Sequence, residues 1–181
     1  MSEPLEFSLT LYPDPVLRKV ADPVRAFDED LVRIVAAMFE RMIASKGVGL
    51  AAPQVGLKKR ILVLSASGEA KDNLALINPT IVARSGPDTV FDEGCLSFPG
   101  IYAEVKRPDR CTVQAFDPLG EAIEREYSGF ESRIIQHEFD HLEGVLLVDR
   151  MSPAAKVTHK AALQDLIHEY KKQQAALARQ P

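Results

Sequence analysis

Gln136-His137-Glu138-Phe139-Asp140-His141-Leu142-Glu143-Gly144 is the stretch on which the reading of this chain turns. Two imidazoles four residues apart project from one face of a helix and can grip a single metal ion. Helical spacing runs through Phe130, Ile134, Ile135, Phe139 and Leu142, with Gly144 placed to end the element, so a buried helix is predicted over about 130–142. Burying two imidazoles and a carboxylate without partners is costly, and a metal resolves that cost. Glu138 is a ready proton carrier beside the ion, and the chemistry expected is metal-assisted hydrolysis.

Two histidines leave a metal site unfinished. Cys95, in Glu93-Gly94-Cys95-Leu96-Ser97 and 42 positions upstream of His137, is a soft candidate for the third ligand. On spacing alone it can equally be a small buried hydrophobe. A zinc metallopeptidase is the nearest enzyme alternative, but Leu147 stands where one protease group has its third histidine, and Glu169 reads as part of a basic, solvated tail helix. A binding module with a structural zinc is the non-enzymatic alternative; it needs four protein ligands and no acid beside them. His159 and His168, on a polar helix, read as surface residues.

Working outward, Asp14-Pro15 reads as a cap followed by proline at the first helical position, opening a short turn through Leu17 and Val20. Leu31, Ile34, Val35, Met38, Phe39, Met42 and Ile43 form one apolar stripe, predicting a helix over about 28–45 with Gly47 as its stop. Residues 47–56, rich in small side chains, read as loop or irregular strand where backbone can approach a ligand. Six short runs, 60–65, 74–77, 80–84, 101–106, 110–117 and 122–127, read as strands of a mostly antiparallel system. Asp117-Pro118-Leu119-Gly120 suits a type I turn between two of them. Ser152-Pro153 starts a last helix over about 152–179, with Leu163, Leu166, Ile167 and Tyr170 as its packing stripe. The fold class expected is α+β: short, mostly antiparallel strands around a central metal-binding helix, with an N-terminal and a C-terminal helix, in a single domain over 1–181.

With 181 residues the chain can bury a sizeable core without a disulfide, and its two cysteines suit a reducing compartment. Met1-Ser2-Glu3-Pro4 has none of the features of an export signal, and no run approaches 18 apolar residues, so a cytoplasmic protein without membrane contact is expected. The net charge of −4 argues against a general nucleic-acid binder, and no DNA partner is expected. Charge is uneven, however: residues 152–181 carry five basic and two acidic side chains, net +3, against −7 for residues 1–151.

Three segments, Gly47-Val48-Gly49-Leu50-Ala51-Ala52-Pro53-Gln54-Val55-Gly56, Glu93-Gly94-Cys95-Leu96-Ser97 and the histidine stretch, resemble in order and spacing the three signature motifs of peptide deformylases. The arm Leu11-Tyr12-Pro13-Asp14-Pro15-Val16-Leu17-Arg18 and Arg133-Ile134-Ile135 extend the similarity over most of the first 150 residues. The resemblance implies removal of the formyl group from the N-terminal formyl-methionine of new polypeptides. It implies one divalent metal ion held by Cys95, His137 and His141, iron(II) natively, with zinc, nickel or cobalt as substitutes.

The same resemblance gives Glu138 the proton transfers and places the Gln54 amide and the Leu96 backbone N–H at the developing oxyanion. It builds an apolar slot for the methionine side chain from Val48, Phe130, the stem of Arg133, Ile134 and the His137 ring. The peptide beyond is expected as an added strand meeting Val48, Gly49 and Gly94. An ion pair between Glu93 and Arg107 is expected near the loop, and ribosome contact through the basic C-terminal helix would suit work on nascent chains.

Overall fold

The structure is a computed structural model that describes residues 5–179; the acidic start Met1-Ser2-Glu3-Pro4 and the last two positions of the tail lie outside them. Five strands form one antiparallel sheet in sequential order: β1 (Gly49–Ala51), β2 (Ile61–Ser65), β3 (Asn73–Gly94), β4 (Tyr102–Phe116) and β5 (Ala122–Ser128). The helices are α1 (Glu29–Ala44), α2 (Gly129–Leu142), α3 (Leu147–Arg150), α4 (Pro153–Thr158) and α5 (Lys160–Leu177). The α+β class with antiparallel pairing is as expected.

β2 explains how the layers assemble. Its residues Ile61–Ser65 are all buried, because side chains alternate between two covered faces. Leu62 and Leu64 pack with Ile134, Ile135 and Leu142 of α2, whereas Ile61 and Val63 pack with Leu31, Val35, Met38 and Met42 of α1. The metal helix is thereby pressed against the sheet by its apolar residues. A third cluster joins Leu17, Phe98 and Ile101 to Leu146, Leu147 and Met151, with Leu163 and Leu166 packed against it.

Several local expectations are corrected. The runs 74–77 and 80–84 belong to one strand that continues to Gly94, and 101–106 and 110–117 belong to another. The sequence is interrupted by Pro79 and Pro87, but the ladder absorbs them in register shifts between Ile77 and Thr80 and between Ser85 and Asp88. Pairing therefore carries on across the gaps between the short runs. Residues 47–56 divide into β1 and a 3₁₀ turn, Ala52–Val55.

At the end of α1 the left-handed residue is Lys46, φ 56°, and not Gly47. Lys46 N–H donates to Ile43 and Gly47 N–H to Met42, a Schellman arrangement. Gly47 instead lies against Leu96, since a Cβ there would stand 2.7 Å from the tip of the Leu96 side chain, which would have to move. Ile43 leaves the stripe and is exposed. The Asp14 cap opens only Pro15–Arg18, and Val20 lies outside it, exposed. The expected last helix breaks at His159 into α4 and α5, and its stripe is only half-buried. The turn 117–120 is closed by Gly120 N–H donating to the Asp117 carbonyl at 3.0 Å.

Candidate metal centre

The three candidate ligands arrive from two elements. α2 presents His137 and His141 one turn apart, while β3 ends at Gly94 and delivers Cys95 to them. Their ligand atoms lie within 4.8 Å of one another, and Cys95 Sγ is 3.2 Å from His141 Nε2. A tetrahedral ion with bonds of about 2.0–2.3 Å needs donors about 3.4–3.6 Å apart, so one thiolate and two imidazoles here suit such an ion. His137 Nδ1 lies 3.0 Å from Glu93 Oε2, which fixes the ring and leaves Nε2 for the metal side. Among the described residues no fourth protein donor joins the group, as a closed structural site would require.

The electrostatics also fit a cation. Burial opposes charge on His137, but hydrogen bonds with Cys95 and Glu93 hold it protonated well above the ordinary histidine value. Burial, then the neighbouring charge of His137, pushes His141 well below it. His141 Nδ1 and Glu138 Oε2 are buried without a hydrogen-bond partner. Burial raises the Glu138 carboxyl to about 7, despite the opposing charge of His137, a value suited to exchanging protons near neutral pH.

Gln54 is buried, and its amide orientation is fixed at both ends. Oε1 accepts from Ala51 N–H at 2.9 Å, while Nε2 reaches Cys95 Sγ at 3.5 Å and Ser97 Oγ at 3.3 Å. The loops carrying Gln54 and Leu96 are braced from behind by the N-terminal arm: Thr10 N–H donates to the Gln54 carbonyl at 2.7 Å and Tyr12 N–H to that of Ser97 at 3.0 Å.

In front of these groups opens a cleft of about 600 Å³ lined by Val48, Gly49, Gly94, Cys95, Leu96, Phe130, Arg133, Ile134, His137 and Glu138, with Phe91 and Tyr102 added. Phe130 and Val48 are partly exposed at it, whereas Ile134 is buried. Gly94 leaves room for the Tyr102 ring, 2.5 Å from where a Cβ would stand. Arg133 contributes more than its stem, since its guanidinium donates to Glu93, to the Val105 carbonyl and to Thr89.

The expected Glu93–Arg107 pair is present and buried, with two contacts of 2.7 and 3.0 Å. Sequence reading missed Asp140 and Arg150, which extend this network, and Ser97. Asp140 carried a usable signal: a carboxylate on a buried helix needs a cation, by the argument applied to the histidines. His159 is half-buried and His168 exposed, neither belongs to the ligand cluster, and Cys111 is buried beside Ser132.

The profile of the polypeptide deformylase family matches residues 7–157. A peptide deformylase of Thermotoga maritima is 42% identical over 166 residues, covering 92% of this chain and 99% of its own. A plant peptide deformylase structure superposes with a TM-score of 0.91 at 41% identity, covering 96% of this chain and 95% of that one. One from Plasmodium falciparum gives 0.89 at 42%, covering 91% and 98%.

Proposed function

The chain belongs to the polypeptide deformylase family, metal-dependent hydrolases that remove the N-terminal formyl group from newly made polypeptides, and within that activity we propose a role for each residue of the centre. The metallopeptidase and structural-zinc alternatives fall away with this membership. The observation that carries the assignment is the cluster of Cys95, His137 and His141 beside the partnerless, buried Glu138 carboxylate oxygen. Cys95, His137 and His141 hold one divalent ion, iron(II) in the native enzyme, with zinc, nickel or cobalt as substitutes, since mixed sulfur and imidazole ligation accepts several such ions. When bound, the ion supplies the Lewis acidity that makes hydroxide available near neutral pH.

Glu138 takes the proton released as water attacks the formyl carbon and returns it to the departing amine. The Gln54 amide, held by Ala51 and Ser97, and the Leu96 backbone N–H donate to the oxyanion that develops. Val48, Phe130, the Arg133 stem and Ile134 receive the methionine side chain. Gly49 and Gly94, with Val48, pair with the peptide backbone, so that sequence beyond methionine matters little. Formate release from a formyl-methionyl peptide, measured with Cys95→Ala beside the parent chain, tests the assignment: metal content and turnover should fall together, and full retention of both would refute it.

Residues 1–181 are taken as one domain, supported by the sharing of one sheet between the α1 and α2 clusters. No helix among the described residues is long and apolar enough to cross a membrane, and a cytoplasmic location suits a substrate emerging from the ribosome. The basic tail, residues 152–181 at net +3, is proposed to meet ribosomal phosphate.

A further inference from the structure

Asp140 stands one turn after His137 on α2 and is buried, yet its oxygens serve two arginines. Oδ2 accepts from Arg107 Nη1 at 2.9 Å and from Arg150 Nε at 3.0 Å; Oδ1 accepts from Arg150 Nη2 at 2.5 Å. Arg107 in turn clamps both oxygens of Glu93, whose Oε2 meets His137 Nδ1 at 3.0 Å. An unbroken chain of charged contacts thus runs from Arg150 through Asp140, Arg107 and Glu93 to the ring of His137. We propose that Arg150, outside the cleft, is a positioning residue for the metal centre, acting through this chain on the orientation of His137.

The reason is geometric. A guanidinium is planar and rigid, and Arg107 holds Glu93 through Nε and Nη2 and Asp140 through Nη1 at once, so a shift of Asp140 tilts the two-point grip on Glu93. Arg150 opposes that shift, because its own fork reaches both Asp140 oxygens. Arg150 is itself held in place. It ends α3, whose start is fixed by Leu146 N–H donating to Asp149 Oδ2 at 2.8 Å and by the Arg18–Asp149 ion pair. Its side chain is 44% exposed, so the outer end of the chain reaches solvent while every other member is buried.

The inference rests on the reading of His137 as a ligand, and the experiment separates the two. Cobalt(II) is loaded into the full chain, its dissociation constant is measured by chelator competition, and its visible spectrum is recorded for the parent, Arg150→Gln and Arg150→Lys. Partners of metal-binding histidines typically alter affinity by about 10–100-fold, and the more remote Arg150→Gln should weaken cobalt by about tenfold and change the visible bands. Arg150→Lys keeps the charge without the fork and should weaken it by an intermediate factor. Arg150 variants that melt earlier but match the parent in cobalt affinity and spectrum would make Arg150 a merely structural residue and overturn the proposal. If Arg150→Gln fails to fold, a parent-like Arg150→Lys would overturn it equally. A parent chain that takes up no cobalt would instead overturn the ligand assignment.

Discussion

Gly49 and Glu138 touch only because residue 49 has no side chain: a Cβ there would lie 2.6 Å from Glu138 Oε1 and equally close to Ile134 Cγ2. The glycine that opens β1 therefore sets how near the sheet backbone comes to the carboxylate. Gly49→Ala must displace Glu138 or Ile134, and overpacking of this kind costs about 1–3 kcal/mol. Formate release should fall with the metal retained; unchanged release and melting temperature would contradict it.

Glu138→Gln keeps the size of the side chain and removes the group that moves the proton. Turnover should drop by about 10²–10⁴-fold with metal content unchanged. Formate release close to that of the parent, at full occupancy, would exclude a proton-transfer role.

Glu93 gives a pH signature. Burial works against its ionisation, but hydrogen bonds from His137 and Arg107 outweigh this and hold the carboxyl at about 2. Because the folded value lies below the unfolded 4.5, the stabilisation is complete above 4.5 and is lost as pH falls through 2. Glu93→Gln should cost about 3–5 kcal/mol near pH 7, by leaving buried cations unpaired, and the gap to the parent should narrow below pH 4.5 in denaturant titrations of the metal-free chains. A gap independent of pH would mean that Glu93 acts by packing alone.

Cys111 should be inert in the folded chain. Burial raises its thiol above the ordinary 9.0, although Ser132 donates to the sulfur, and the side chain has no exposed surface. The folded protein therefore loses stability as pH climbs past 9.0, where the unfolded thiol ionises first. A thiol reagent at pH 8 should leave Cys111 unmodified until guanidinium is added, and mass spectrometry of peptides spanning residue 111 checks this.

The basic tail predicts salt-sensitive association with ribosomes, because neutralised phosphates release counterions. Changing Lys156, Lys160, Lys171 and Lys172 to Gln should reduce co-sedimentation at low salt and leave hydrolysis of a short formyl-peptide intact. Equal co-sedimentation would make these lysines an ordinary solvated face.

Residues whose signal is local were legible in the sequence. The i, i+4 spacing of His137 and His141, the apolar periodicity of α2 and the small residues at 47–56 each point to their place without reference to the rest of the chain. Strand length was not legible, because Pro79 and Pro87 interrupt the β-branched and alternating pattern on which the short runs rest, and only a partner strand can absorb them in register shifts. Arg150 was hidden for a related reason. Its partner Asp140 lies ten positions earlier, on a different helix, and no spacing rule connects residues across a turn whose path is set by packing.

The order of the donors along the chain has a consequence for biosynthesis. Cys95 and His141 are 46 positions apart, and β4, β5 and most of α2 lie between them. A ribosome-bound fragment ending before α2 carries Cys95 without either histidine of the proposed donor set, and α2 by itself offers two imidazoles on a short helix that is marginal in isolation. The complete donor set exists only after the long hairpin of β3 and β4 has closed and α2 has docked on the sheet. An ion held by the proposed set of Cys95, His137 and His141 would therefore be captured only after these long-range contacts have formed.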